Sequence, residues 1–263
     1  CRPYVTKQPR CDVIIQRTFL RARCICLKGY RITFIRHGFT QGNVDGKYIG
    51  TTDLPLAKEG AEQLYDIAEK ADYPSFQKIY ISPLKRCLQT AYILAPNCYM
   101  VEMPQLREMD FGEFEGKTPD ELKDREDYKK FLEGGLDNPP PGGESVREVV
   151  GRCYDALSVI IGDMMEEGLT NCAVITHSGI IMNMLACFGL PKRRAIEYAC
   201  GFGEGFEVMV SASMWQRSGA FEIIDTFPHS EEPFEDDYAD DYADEDEHEH
   251  DCDCGCHHEH EQG

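Results

Sequence analysis

Short β-rich runs alternate with longer amphipathic patterns through the middle of this 263-residue chain. That alternation most limits the fold, because strands recurring between helical segments pair in parallel and bury both faces under helices. The runs at 31–36 (RITFIR), 78–82 (KIYIS), 98–101 and 172–176 (CAVIT) read as strands, and 205–213 and 221–226 fit two more. Residues 57–71 carry Ala61, Leu64, Ile67, Ala68 and Ala71 on one helical face. A second helix is expected over 83–94, with Ser82 as N-cap and Pro83 in the first helical position. Residues 120–132 read as one helix, and Asn138-Pro-Pro-Pro-Gly-Gly is a hard stop after it. Ser145-Val-Arg-Glu148 forms a capping box ahead of Val146, Val149, Cys153, Leu157, Ile160 and Met164, and Gly168 closes that helix. A last helix is expected over 178–187. The expected architecture is a three-layer α/β/α sandwich with a mostly parallel sheet.

Charge marks the boundaries. From His229 onward there are sixteen acidic residues and no Lys or Arg, so this tail supplies most of the net charge of −20. Residues 1–28 are basic, and the 29–228 segment between has ordinary globular composition. We therefore expect a basic extension over 1–28, disordered for the most part, a globular domain over 29–228 and a disordered acidic tail over 229–263. The extension shares its Arg-rich composition with organelle transit peptides but lacks serine and amphipathic period. Because the chain opens on Cys1 and not Met, an incomplete or misassigned start is the plainer explanation. The acidic balance argues against a nucleic-acid partner, and no apolar run reaches the roughly 20 residues that a membrane span needs. The six cysteines of the middle region are widely spaced in apolar runs, as buried free thiols would be, and a cytoplasmic location is expected.

In sheets of this kind, ligands bind beyond the carboxyl ends of the strands. The first expected strand ends in Arg36-His37-Gly38, the second in Ser82 with Arg86 a turn later, and the fourth in Thr176-His177-Ser178-Gly179. His37 and His177 are the histidines before residue 229, and a parallel sheet would set them side by side. The middle region has no third His, no His-x-x-x-Glu pair and no Cys-x-x-Cys, which argues against a catalytic zinc. Guanidinium groups suit phosphate, and a neutral imidazole is a competent nucleophile. Arg36 and Arg86 would hold the nonbridging oxygens while neighbouring cations keep His37 unprotonated. The expected partner is a small phosphorylated metabolite, with no cofactor.

Arg36-His37-Gly38-Phe39-Thr40 followed by Asn43, and Gly50-x-x-Asp53-x-Pro55-Leu56-x3-Gly60, resemble the opening of the histidine phosphatase, or phosphoglycerate-mutase-like, superfamily. Later blocks match in order: Ser82-Pro83-x-x-Arg86-x-x-Gln89-Thr90-Ala91, Leu106-x-Glu108-x3-Gly112-x-Phe114-Glu115-Gly116, Gly143-Glu144-Ser145 and Thr176-His177-Ser178-Gly179. The resemblance implies the phosphoglycerate-mutase-like fold and a phosphohistidine mechanism with His37 as nucleophile. It places Arg36, Arg86 and His177 around the phosphate, makes Glu108 the proton donor, and puts Asn43, Gly50 and Ser178 at the substrate. On the residues alone Glu108 is indistinguishable from Asp110, Glu113 and Glu115 nearby. Phe39 stands where the family usually has Glu, and Lys47-Tyr48 where an Arg is common, so substrate choice transfers less readily than chemistry. Cofactor-dependent mutases resemble this scaffold with a longer insertion than the short segment from Glu108 to Ser145. The chain is accordingly expected to be a phosphatase for small phosphomonoesters, similar to the α-ribazole phosphatase and broad-specificity branch, with mutase activity as the alternative.

The tail packs Cys252, Cys254, Cys256, His257, His258 and His260 into nine residues, a set that suits soft and borderline cations such as zinc, nickel or copper. The competing reading is a solubilising acidic tail.

Overall fold

The computed structural model describes residues 29–70 and 75–229. The basic extension lies outside the described residues, as does the tail beyond His229 with its candidate metal ligands Cys252, Cys254, Cys256, His257, His258 and His260. Among the described residues no helix is long and apolar enough to cross a membrane.

Among the described residues seven strands form one sheet: β1 (Gly29–Arg36), β2 (Lys78–Ile81), β3 (Met100–Glu102), β4 (Asn171–Thr176), β5 (Gly189–Leu190), β6 (Gly205–Ser211) and β7 (Phe221–Phe227). Their order is β3-β2-β4-β1-β6-β7-β5. Four of the six pairings are parallel; β6 runs antiparallel to both β1 and β7. The helices are α1 (Gln41–Val44), α2 (Lys58–Lys70), α3 (Lys85–Leu94), α4 (Pro119–Leu122), α5 (Glu126–Leu132), α6 (Val146–Glu167), α7 (Ser178–Phe188) and α8 (Ala212–Ser218).

Because side chains alternate along a strand, the sheet feeds two cores. On one face Ile35, Ile79, Ile81, Ala173, Ile175 and Phe227 pack with Leu64 of α2 and with Cys87, Ala91 and Leu94 of α3. On the other face Tyr80 donates to Asp163 of α6 at 3.1 Å, and the Cys172 thiol meets Met164 of α6. Helix α7 packs beside α6 on that side. The three-layer sandwich is therefore present, with a sheet that is mostly parallel.

Local signals set most element ends. Ser145 accepts from Glu148 N–H in the expected capping box of α6, and Gly168 closes that helix at φ +71°. Elsewhere the tertiary structure overrules the expectation. Ser82 does not cap α3, which begins after Leu84. Its first amide, Lys85 N–H, is met instead by Asp53 Oδ1 at 2.7 Å from a distant loop. The helix expected over 120–132 is broken into α4 and α5. Leu122 and Tyr128 are six positions apart, so an unbroken helix would point them in different directions. The break brings both into a satellite core with Phe114, Tyr48, Phe111 and Phe131. The strand expected over 205–213 stops at Ser211, whose hydroxyl caps α8 by accepting from Met214 N–H at 3.2 Å. The six cysteines of this region are free, yet only Cys87, Cys153 and Cys172 are buried; Cys98 and Cys200 are half-buried and Cys187 is exposed.

Candidate active site

The parallel pairing of β1 and β4 sets Arg36 opposite Thr176, so the next residues, His37 and His177, leave the sheet side by side. Their rings meet edge to face with centroids 5.0 Å apart. The 2.6 Å contact from His37 Nδ1 to the Gly38 carbonyl identifies that nitrogen as the one carrying hydrogen, since a carbonyl can only accept. The Nε2 lone pair is thereby left for chemistry. Burial, reinforced by Arg86 and then Arg36, lowers the His37 pKa to about 3, so the ring is neutral at ordinary pH.

His177 has the opposite tautomer. Arg86 Nε–H donates to its Nδ1 at 3.3 Å, so its Nε2–H is the partner of Ser82 Oγ at 2.8 Å. Burial and the charges of the neighbouring groups hold its pKa well below the usual histidine value. Arg86, on the first turn of α3, is 1% exposed and also donates to the carbonyls of Thr52 and Gly50 at 2.9 and 2.8 Å. A side chain at Gly50 would collide with the Met109 carbonyl and the Glu115 carboxylate, so only glycine fits in that strap. Arg36 donates to the Cys200 carbonyl at 2.6 Å and lies 3.7 Å over the Phe202 ring. Its Nε–H is buried and has no partner among the described residues.

Glu108 is the buried member of its acidic cluster; Glu113 is exposed, and Asp110 and Glu115 are half-buried. Its Oε1 accepts from Met109 N–H at 2.9 Å and its Oε2 from Gly179 N–H at 3.3 Å, at the start of α7. A Cβ on Gly179 would stand 2.7 Å from Oε1, so that glycine is what lets the carboxyl reach the helix. Burial raises the Glu108 pKa against the pull of those amides and of Arg86. Arg152 of α6 fixes the surrounding backbone by donating to the carbonyls of Gln105, Arg107 and Glu108 while paired with Glu144 at 3.0 Å.

The structure thus brings together His37, His177, Arg36, Arg86 and Glu108, with Gly50 touching Arg86 and Ser178 opening α7. Asn43 is otherwise engaged: its Oδ1 accepts from the N–H and hydroxyl of Thr40 at the start of α1. Sequence reasoning did not find Ser82 as the partner of His177, nor Thr90, which accepts from Gly38 N–H at 3.0 Å. Phe202 and Cys200 also carried no signal, because they reach the site only through the antiparallel β6. Its amino end, Gly205, lies beside Ile35, which delivers the preceding loop to the carboxyl end of β1.

Two guanidinium groups, two neutral imidazoles and a buried carboxyl converging at the carboxyl ends of parallel strands suit a phosphoryl group. Residues 32–202 match the histidine phosphatase superfamily (branch 1), and the chain belongs to that superfamily, whose members are enzymes. A protein named "Probable phosphoglycerate mutase GpmB" from Enterobacter sp. (strain 638) is 30% identical over 213 residues, 77% of this chain and 96% of that one. Among solved structures, an α-ribazole phosphatase from Shigella flexneri shares 26% identity at a TM-score of 0.59, covering 69% of this chain and 91% of that one. A phosphoglycerate mutase from Thermus thermophilus shares 27% identity at a TM-score of 0.54, covering 74% and 97%.

Proposed function

We propose that the protein is a phosphatase that hydrolyses small phosphomonoesters through a phosphohistidine on His37, within a catalytic unit spanning 29–228. The observation that carries this reading is the Nδ1–H bond to the Gly38 carbonyl, which aims a neutral Nε2 lone pair away from the backbone. Arg36, Arg86 and His177 would surround the nonbridging oxygens. The unpartnered Arg36 Nε–H supports that role, because an orphaned buried donor costs about 1–3 kcal/mol that a phosphate oxygen would recover. Asn43, whose Oδ1 is held by Thr40, would assist through its Nδ2 amide, with Gly50 and Ser178 lining the approach.

The reaction then runs in two balanced steps. His37 Nε2 attacks phosphorus, the P–O bond to the alcohol breaks, and neutral Glu108 gives its proton to the departing oxygen. A water next attacks the phosphohistidine, losing a proton to the Glu108 carboxylate as the P–N bond breaks and inorganic phosphate leaves. The raised Glu108 pKa fits an acid that must hold a proton near neutrality. Each guanidinium donor so used is worth about 3–4 kcal/mol to the transition state.

The names of the relatives also favour a second reading, phosphoglycerate mutase. Incubation with 3-phosphoglycerate and a trace of 2,3-bisphosphoglycerate separates the two. Phosphate release without 2-phosphoglycerate supports hydrolysis, and rapid 2-phosphoglycerate formation without phosphate release overturns it. Rapid quench with radiolabelled substrate should leave an acid-labile adduct in the wild type and none in His37→Ala; turnover that survives this substitution would refute the mechanism.

A further inference from the structure

Beside the nucleophile stands an aromatic wall that phosphate binding does not use. The Phe202 ring lies 6.1 Å from the His37 ring and 5.6 Å, edge to face, from the ring of Phe39. Both phenylalanines are half-buried, so each keeps part of its apolar surface exposed. The loop carrying Phe202 is pinned to the end of β1 by Gly203 N–H to the Arg36 carbonyl at 2.9 Å and by Arg36 N–H to the Glu204 carbonyl at 2.8 Å. Arg36 stacks on one face of the Phe202 ring, and on the phosphatase reading its charge would serve the phosphoryl oxygens.

The cations next to the site residues in the chain are already paired. Lys85, beside Arg86, meets Asp53 at 3.3 Å, and Arg107, beside Glu108, meets Glu144 at 2.8 Å. A carboxylated alcohol would have to compete for these partners, whereas an uncharged alcohol with an apolar or planar group would cover the phenylalanine surface.

Resting on the phosphatase reading, we propose that Phe39 and Phe202 are the specificity-determining contacts for the leaving group, and that the substrate is the phosphomonoester of an uncharged alcohol bearing an apolar, preferably aromatic, group. The test compares 2-phenylethyl phosphate, n-propyl phosphate and 3-phosphoglycerate on the full chain. All three have alkyl-oxygen leaving groups that must be protonated, so the demand on Glu108 is common and the comparison isolates the wall. The kcat/KM ratio of phenylethyl to propyl phosphate should be about tenfold or more in the wild type, in line with a hydrophobic subsite. In Phe39→Ala the ratio should collapse toward one, chiefly through a raised KM for the phenylethyl ester, and Phe39→Leu should restore part of it. Phe202→Leu should lower the same ratio even if a displaced Arg36 slows every substrate. A wild-type ratio near or below one, a preference for 3-phosphoglycerate, or a ratio unchanged by both Phe39 variants overturns the inference while hydrolysis itself stands. Failure to turn over any ester, with no label on His37, instead overturns the phosphatase reading and the inference together.

Discussion

Replacing Glu108 by Gln tests the proton economy of the site directly. The carboxyl accepts two amide hydrogen bonds, from Met109 at 2.9 Å and Gly179 at 3.3 Å. Glutamine can keep the shorter one through its carbonyl oxygen, but its amide nitrogen then faces the Gly179 N–H, donor against donor. The structural cost is one unsatisfied amide, about 1–3 kcal/mol, and the fold should survive it. The chemical cost is larger, because no proton is available for an alkoxide, and loss of a general acid typically slows a reaction about 10²–10⁴-fold. A phenyl phosphate with a strongly electron-withdrawing ring needs no such proton, so its dephosphorylation should fall far less. Steady-state and burst kinetics on an alkyl and an activated aryl ester measure the contrast. The pH profile gives a second readout. Burial raises the Glu108 pKa, so wild-type turnover of alkyl esters should decline as pH rises through that value, and the variant should lose this alkaline limb. Equal losses on both esters, or an alkaline limb retained in the variant, would refute Glu108 as the acid.

Acid stability should depend on His37. Its pKa falls from 6.5 to about 3 in the folded chain, so between these values the unfolded state takes a proton that the native state does not. Stability is then lost as pH drops through that window, by up to about 5 kcal/mol at its lower end. Thermal melts of His37→Asn should show a shallower pH dependence than the wild type from pH 6.5 to 4; parallel curves would contradict this. Gly50→Ala should cost about 1–3 kcal/mol by overpacking against Met109 and Glu115, and should lower kcat/KM by displacing the carbonyl that holds Arg86. A variant with wild-type melting and turnover would show that the strap yields freely. Ser145→Ala removes the α6 cap at a cost of about 1 kcal/mol, a melting shift of about 2–4 °C without change in KM. Finally, the tail cluster is expected to bind zinc: calorimetric titration of the full chain should give a signal that is lost when Cys252, Cys254 and Cys256 are changed to Ser, while neither that change nor EDTA alters kcat/KM; no signal in the full chain, or one that persists in the variant, would refute the tail site.

Much of the fold can be read from local pattern, because a β-branched run or a capping box acts on its own neighbours. RITFIR, KIYIS and CAVIT are strands close to the expected limits, and the Ser145 box and Gly168 bound α6 as their chemistry requires. The placement of His37 and His177 at the ends of such strands follows from the same pattern, since parallel pairing converts equal positions into adjacency. Glu108 is different: four acids in eight residues have equal claims until burial selects one.

What sequence alone determined was therefore the principal strands and helices, without β5, α1 or α8, and the two histidines and arginines at their ends. Tertiary structure decided which hydroxyl meets His177, that Asp53 caps α3, that the 120–132 segment breaks, and that Phe202 stands beside the nucleophile. The physical reason is reach. Propensity and capping operate over about four residues, whereas the hydrogen bond that His177 Nε2–H donates to Ser82, or a loop delivered by an antiparallel strand, exists only after distant segments have packed.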